Sequence, residues 1–297
     1  LGPRIRVVLK DSLVGQRDAR LWHDRLGSVS WVTIQRHALH GTTPRGSHMA
    51  LPPVGLQTGI LHKKYSLDTQ TDLILDKLKE CGYAAIEGGG KDPAELRRKL
   101  DARGLRYAAT HMAMSAKPDM KQMIDYLHTV GGADICNSGI NEWSRPGPKH
   151  FAESIKYLND LGRSLRREGI HLHYHNHAFE FDKIDGDRSG MDDLLDGLDF
   201  EVIDLCVDVA WVWRGGSDPA EFLRKHRQKV GYLHFKDTDK TEWHELGRGS
   251  LDWKAIMKVL PELTNCRWNC IEQDATKLDP FESIAISRRY LAETFGY

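Results

Sequence analysis

Two pieces of the sequence decide the fold: Leu205-Cys206-Val207-Asp208-Val209-Ala210-Trp211 and, after Asp218-Pro219-Ala220-Glu221, Val230-Gly231-Tyr232-Leu233-His234-Phe235-Lys236-Asp237. Each piece is a short apolar run that ends in polar, chemistry-bearing side chains. Such runs read as strands buried on both faces, the habit of parallel sheets. Between them, Asp218 stands as an N-cap ahead of a proline at the first helical position, where its missing N–H is not needed. Strand, helix start and strand together make one βα unit.

Working outward from that unit, the same alternation recurs. Apolar, β-rich runs fall at 54–60, 84–87, 107–111, 133–136, 171–177, 200–207, 230–235 and 267–272, eight in all. Segments of helical period lie at 71–81, with Leu73, Ile74, Leu78 and Cys81 on one face, and at 93–102, 120–130, 151–168, 219–229, 251–260 and 280–295. Asp92-Pro93 and Asp279-Pro280 repeat the helix start, and Gly82, Gly104 and Gly169 sit where helices turn back toward strands. Eight such units in roughly 250 residues predict an α/β protein, a single-domain (β/α)8 TIM barrel over residues 50–297. Two Rossmann-type halves fit less well. No Gly-x-Gly-x-x-Gly opens a helix, and Gly88-Gly89-Gly90 runs into Lys91-Asp92-Pro93 without a phosphate-loop pattern.

Residues 1–49 read differently. Pro44-Arg45-Gly46-Ser47-His48-Met49 resembles the remnant of a thrombin-cleavable tag running into a start methionine, so this stretch is expected to be an N-terminal extension, vector-derived or natural. It carries eight basic against three acidic side chains, while the rest of the chain carries 34 basic against 39 acidic. A mildly acidic body is poor material for gripping a phosphate backbone, so no nucleic-acid partner is expected. No apolar run reaches bilayer length and no secretory signal is visible, so no membrane partner is expected. Five scattered cysteines read as reduced core thiols of a cytoplasmic protein rather than a disulfide framework.

In a TIM barrel, chemistry gathers at the C-terminal strand ends. Four consecutive late strands end in metal-competent residues: His175, His177 and Glu180 near strand five, Asp208 on six, His234 on seven and Glu272 on eight. Barrel closure puts those ends in one ring. A cluster of carboxylates there would repel without a cation, and mixed oxygen and nitrogen ligands suit a divalent metal, manganese first, with Mg²⁺, Co²⁺, Fe²⁺ or Zn²⁺ as alternatives. The fifth-strand ligand is open between His175 and Glu180. Period-two alternation sends His171, His173, His175 and His177 to one face, with the first two deepest. Glu87 and His111 end strands two and three and face the same pocket, as substrate contacts or as structural groups. Lys236 shares the face of His234. Arg248, between Gly247 and Gly249, is a candidate for substrate hydroxyls or a phosphate, and Trp211 for an apolar wall against a sugar ring.

The segments His175-Asn176-His177-Ala178-Phe179-Glu180-Phe181, Val207-Asp208-Val209-Ala210-Trp211, His234-Phe235-Lys236-Asp237, Glu245-Leu246-Gly247-Arg248-Gly249, Leu251-Asp252-Trp253 and Ile271-Glu272-Gln273-Asp274 occur in this order. Together they closely resemble the sugar phosphate isomerase/epimerase family, within the xylose-isomerase-like TIM-barrel superfamily, over roughly residues 54–295. The resemblance implies one divalent metal held by strands five to eight, with Asp208, His234 and Glu272 at matching positions. Many members carry a glutamate on strand five, where this chain offers His175 or, later, Glu180. Many carry a histidine where this chain has Trp211, which speaks against the related metal-dependent apurinic endonucleases.

The expected function is a metal-dependent isomerase or epimerase that moves a proton beside the carbonyl of a carbohydrate. Glu272 and Glu180 are the nominated acid–base pair, His177 the substitute for either, and Lys236 the electrostatic helper. The alternatives are a metal-dependent lyase or hydratase acting on 3-keto-glycosides, and a non-catalytic sugar-binding barrel. The partner is a small carbohydrate, and assembly into a homo-oligomer is left open.

Overall fold

The computed structural model describes residues 51–114, 119–144 and 146–297; the expected extension over 1–49 lies outside them. Eight parallel strands close on themselves: β1 Val54–Gln57, β2 Ala85–Glu87, β3 Arg106–Ala113, β4 Asp134–Ser138, β5 His171–His175, β6 Ile203–Asp208, β7 Val230–Phe235 and β8 Trp268–Ile271. Each pairs with its neighbours in sequence and β1 pairs with β8, which leaves the barrel without an open edge. Around it run α1 Thr71–Cys81, α2 Pro93–Arg103, α3 Met120–Val130, α4 Pro148–Arg167, α5 Gly190–Gly197, α6 Val209–Arg214, α7 Pro219–Lys225, α8 Trp253–Val259 and α9 Pro280–Phe295. No helix among the described residues is long and apolar enough to cross a membrane.

The helix punctuation works as expected from the sequence. Asp92, Asp218 and Asp279 each cap a helix by accepting a backbone N–H, and Asp119 does the same for α3. Gly82 and Gly104 adopt the left-handed conformation that ends α1 and α2. Three expectations change. The first strand, expected over 54–60, ends at Gln57, and Thr58–Lys63 is a 3-10 helix. On α1 the buried residues are Thr71, Ile74, Leu75 and Leu78, so Leu75 takes the place expected for Leu73, which is 43% exposed. The sixth strand begins at Ile203 rather than 200, because Val202 and Ile203 donate backbone hydrogen bonds to the Asp199 carbonyl in a tight turn ahead of it.

Strand alternation builds two cores. Outward-facing Val54, Leu56, Ile86, Ile135, Leu172, Tyr174, Leu205, Val207, Leu233, Phe235 and Ile271 are buried against the helices in one continuous apolar shell. The inward face is filled by a smaller cluster of Ala85, Ala108, Ala109, Cys136, Cys206, Tyr232, Trp268 and Cys270. Gly55, beside this cluster, has no room for a side chain. A Cβ at Gly55 would lie 2.5 Å from the Cys270 sulfur, so glycine on β1 is what admits that thiol. Below this layer, Asp134 accepts from His173 Nε2 at 2.9 Å and from the partly exposed Arg267 Nε at 2.6 Å, closing the barrel floor with a hydrogen-bonded network.

Candidate active site

The register of the late strands brings the expected ring together. Asp208 pairs across the sheet with His234, and His234 with Cys270, which is two residues before Glu272. His175, at the end of β5, is the register partner of Cys206, two residues before Asp208. One donor atom from each of His175, Asp208, His234 and Glu272 lies within 4.8 Å of the others, and all four residues are buried.

Those four donors share a second property. His175 Nε2, Asp208 Oδ2, His234 Nδ1 and Glu272 Oε2 are all buried without a hydrogen-bond partner among the described residues. His234 Nδ1 is 2.7 Å from Glu272 Oε2, and His175 Nε2 is 3.5 Å from both carboxylates, close but outside hydrogen-bond geometry. Buried polar atoms are rarely left unpaired, because each lost partner costs about 1–3 kcal/mol. Four such atoms facing one point fit a divalent cation by number, charge and chemistry.

The rest of each side chain is already committed in a way that aims the free atom. Asp208 uses Oδ1 to cap α6, accepting from Ala210 and Trp211 N–H at 2.9 and 3.0 Å, which leaves Oδ2 for the ring. Glu87 accepts from His234 Nε2 at 2.7 Å, from Tyr232 hydroxyl at 2.8 Å and from His111 Nδ1 at 2.8 Å. It therefore fixes the His234 tautomer with Nδ1 free, the role carboxylates take behind metal-ligating histidines. Ser138 Oγ sits 3.3 Å from His175 Nδ1 and 3.4 Å from His177 Nε2. Asn176 accepts from the Asp208 N–H at 3.1 Å and pins the two strand ends together.

Glu180 is not brought to the ring. A 3-10 turn over Phe179–Phe181 swings its carboxylate back toward the outer face of β5, where Tyr174 hydroxyl donates to Oε1 and His177 N–H to Oε2, both at 2.8 Å. Of the two fifth-strand candidates, the one that reaches the cluster is His175. Burial outweighs those hydrogen bonds and raises the Glu180 carboxyl to about 7.

Lys236 is 1% exposed, with Nζ 2.8 Å from Asp274, 3.4 Å from Asp208 and 3.5 Å from Glu272. Burial lowers its pKa, but the charges of Glu272, Asp208 and Asp274 more than offset that and raise it, so the side chain is a held ammonium. Asp208 and Glu272 are shifted down: burial raises both, and Lys236 foremost among the neighbouring charges outweighs it. His177 lies at the mouth, edge-on to Trp211 at 5.4 Å between ring centres, with Nδ1 unpartnered. Burial, then the charge of His175, lowers it, so it is neutral; a His175 that ligates a cation is itself neutral and removes the second effect. Trp211 in turn meets Trp243 edge-on at 4.8 Å, and the Lys236 ammonium lies over both indoles.

Arg248 stands apart from this ring. Its side chain is 53% exposed and 3.5 Å from Glu245. The flanking glycines approach a carboxylate of the protein itself: Asp237 Oδ2 accepts from Gly247 N–H, Gly249 N–H and Trp253 Nε1, and a Cβ at Gly249 would strike Asp237. Sequence reasoning missed Ser138, Asn176 and Asp274. The first two carry no charge or metal affinity to mark them, and Asp274 matters only through Lys236.

A closed parallel barrel with such a cluster at the C-terminal ends of its strands is a (β/α)8 barrel with a candidate cation site at its mouth. Residues 75–294 match the xylose isomerase-like TIM barrel model, and the chain belongs to that family. The chain is similar to inosose dehydratase of Clostridium beijerinckii, 25% identical over 262 residues that span 73% of this chain and 87% of that protein. A sugar phosphate isomerase/epimerase from Parabacteroides distasonis superposes with a TM-score of 0.68 at 20% identity, covering 83% of this chain and 95% of that one. The IOLI protein, solved with a binding zinc atom, superposes with a TM-score of 0.65 at 15% identity over 81% and 97% of the two chains.

Proposed function

We propose that this enzyme removes a proton beside the carbonyl of a polyhydroxylated ketone and expels a neighbouring hydroxyl as water, with a divalent cation held by His175, Asp208, His234 and Glu272. When bound, the cation supplies positive charge against the negative charge that develops on the substrate oxygen. Two imidazoles with two carboxylates suit Mn²⁺, Fe²⁺, Co²⁺ or Zn²⁺ better than Mg²⁺, which prefers an all-oxygen shell.

The observation that carries dehydration over epimerisation is the placement of Glu180. Proton exchange from both faces of a sugar was expected to use carboxylates on opposite sides, and Glu180 is engaged by Tyr174 and His177 instead. At the mouth stand the neutral imidazole of His177 and the ammonium of Lys236, both against Trp211. His177 takes the proton from the carbon beside the carbonyl; the C–H electron pair forms the new C=C bond, and the C–O bond to the neighbouring hydroxyl breaks. The same imidazole returns its proton to that hydroxyl, which departs as water. Lys236 donates a hydrogen bond to the carbonyl oxygen as charge gathers there. Trp211 and Trp243 form the apolar wall of the pocket. The dehydratase relative, whose name specifies a cyclic polyhydroxy ketone, supports the same substrate class.

A second reading, epimerisation, is favoured by one feature: His177 and Glu272 approach the ring from different strands and could serve its two faces. One experiment separates the readings. The Mn²⁺-loaded enzyme is given keto-inositols and open-chain ketoses in deuterium oxide. Dehydration yields a product lighter by one water, whereas epimerisation incorporates deuterium with the hydroxyl retained. A labelled epimer without dehydrated product would overturn the first reading. Glu272→Gln should abolish turnover without unfolding, and full activity in that variant would sink both.

A further inference from the structure

Directly beneath the ring lies a second set of donors, of which the proposed reaction uses only His234. Cys136 on β4, Cys206 on β6 and His234 on β7 each place one ligating atom within 4.8 Å of the others, and all three are buried. A barrel interior is ordinarily filled by layers of branched aliphatic side chains from alternate strands. Here β4, β6 and β8 contribute Cys136, Cys206 and Cys270, all free thiols. The two sets differ in character: carboxylates and imidazole above favour borderline and hard ions, whereas two thiols with an imidazole favour thiophilic ones.

We infer that Cys136, Cys206 and His234 form a site for a thiophilic divalent cation, whose occupation is mutually exclusive with that of the upper ring. The exclusion follows from the imidazole. His234 belongs to both sets, and a neutral imidazole has one nitrogen lone pair. With the upper ring in use, Nδ1 carries that lone pair and Nε2–H donates to Glu87. An ion held between the thiols claims the same ring's lone pair. Two S–H bonds break, two sulfur–metal bonds form, two protons leave to solvent, and the imidazole keeps its single N–H. Glu87 remains satisfied by Tyr232 and His111. The upper ring is then reduced to three donors. Thiophilic ions therefore inactivate the enzyme from below, by withdrawing His234 rather than by covering the mouth.

This rests on the upper ring being the functional cation site, and the test keeps the two claims apart. The full chain is loaded with Mn²⁺ and titrated with Cd²⁺, following released Mn²⁺ by electron paramagnetic resonance and cadmium–thiolate bonding by its ultraviolet charge-transfer absorption. The expected result is a charge-transfer band that saturates at one equivalent of Cd²⁺ while Mn²⁺ is released in step. The band should be lost in Cys136→Ala/Cys206→Ala, whose fold is checked by circular dichroism, and retained in Cys270→Ala. A variant with only Cys136→Ala serves if the double variant does not fold. Mn²⁺ release without the band places cadmium in the upper ring and overturns the inference. So does a band that survives loss of both thiols, or one that grows in while Mn²⁺ stays bound. If Mn²⁺ binds no variant at all, the upper-ring reading fails, and mutual exclusion fails with it.

Discussion

Glu87 Oε2 lies 2.7 Å from His234 Nε2, and on the opposite edge of the same imidazole Nδ1 lies 2.7 Å from Glu272 Oε2. One buried carboxylate thus decides which nitrogen faces the ring. Glu87→Gln can accept from only some of its three donors and loses the charge that favours Nε2–H. It should weaken Mn²⁺ or Co²⁺ binding by about 10- to 100-fold while the fold is kept. Isothermal titration of the variant checks this, and unchanged affinity would remove Glu87 from the cation site.

Asp208 divides its two oxygens between helix and ring, so two substitutions should separate the jobs. Asparagine caps helices about as well as aspartate, so Asp208→Asn should retain stability while losing cation affinity. Asp208→Ala loses both, with about 1 kcal/mol or more of stability removed through the uncapped start of α6. Denaturant melts beside metal titrations distinguish the two outcomes.

Glu180 gives a pH signature. Its carboxyl is raised to about 7 by burial, against about 4.3 in an unfolded chain, so the folded state holds the proton more tightly. Its contribution to stability is complete below about pH 4.3 and is lost as pH rises through about 7. Glu180→Gln, which cannot ionise, should flatten that decline. Chemical denaturation across the window measures it; an unchanged slope would show that another group is responsible.

Asp134 gives the opposite signature at the barrel floor. Burial raises its carboxyl, but hydrogen bonding and charge from His173, then Arg267, outweigh burial and leave it below the ordinary value. That stabilisation is present above about pH 3.9 and is lost as pH falls through the lower folded value. Arg267→Met removes one of the two partners and should shift acid unfolding to higher pH. Circular dichroism during acid titration reports the midpoint.

The barrel was legible because strand runs and helix starts repeat, and closure turned strand ends into a ring without further information. Asp208, His234 and Glu272 followed from that placement, and the structure brings them together. The choice between His175 and Glu180 was not legible, since it depends on a 3-10 turn that swings Glu180 outward to the Tyr174 hydroxyl. Gly247 and Gly249 show a related limit. Sequence marks where backbone must come close, but not to what, and here the partner is the Asp237 carboxylate. Two short hairpins, Lys183–Asp185 with Arg188–Ser189 and Asp237–Thr238 with Trp243–His244, lie in βα loops whose sequences have too few residues for any period to emerge.

Gly55 lies on the opposite side of the barrel from β5, yet it is wired to the proposed cation site. A methyl group there would press on Cys270, whose sulfur is 2.9 Å from the Tyr232 hydroxyl; that hydroxyl donates to Glu87 at 2.8 Å, and Glu87 holds His234. Interiors this tightly packed transmit displacement instead of absorbing it. Gly55→Ala should therefore behave like a lesion of the proposed site although it touches none of its four residues, and a screen for inactive variants should recover it beside them.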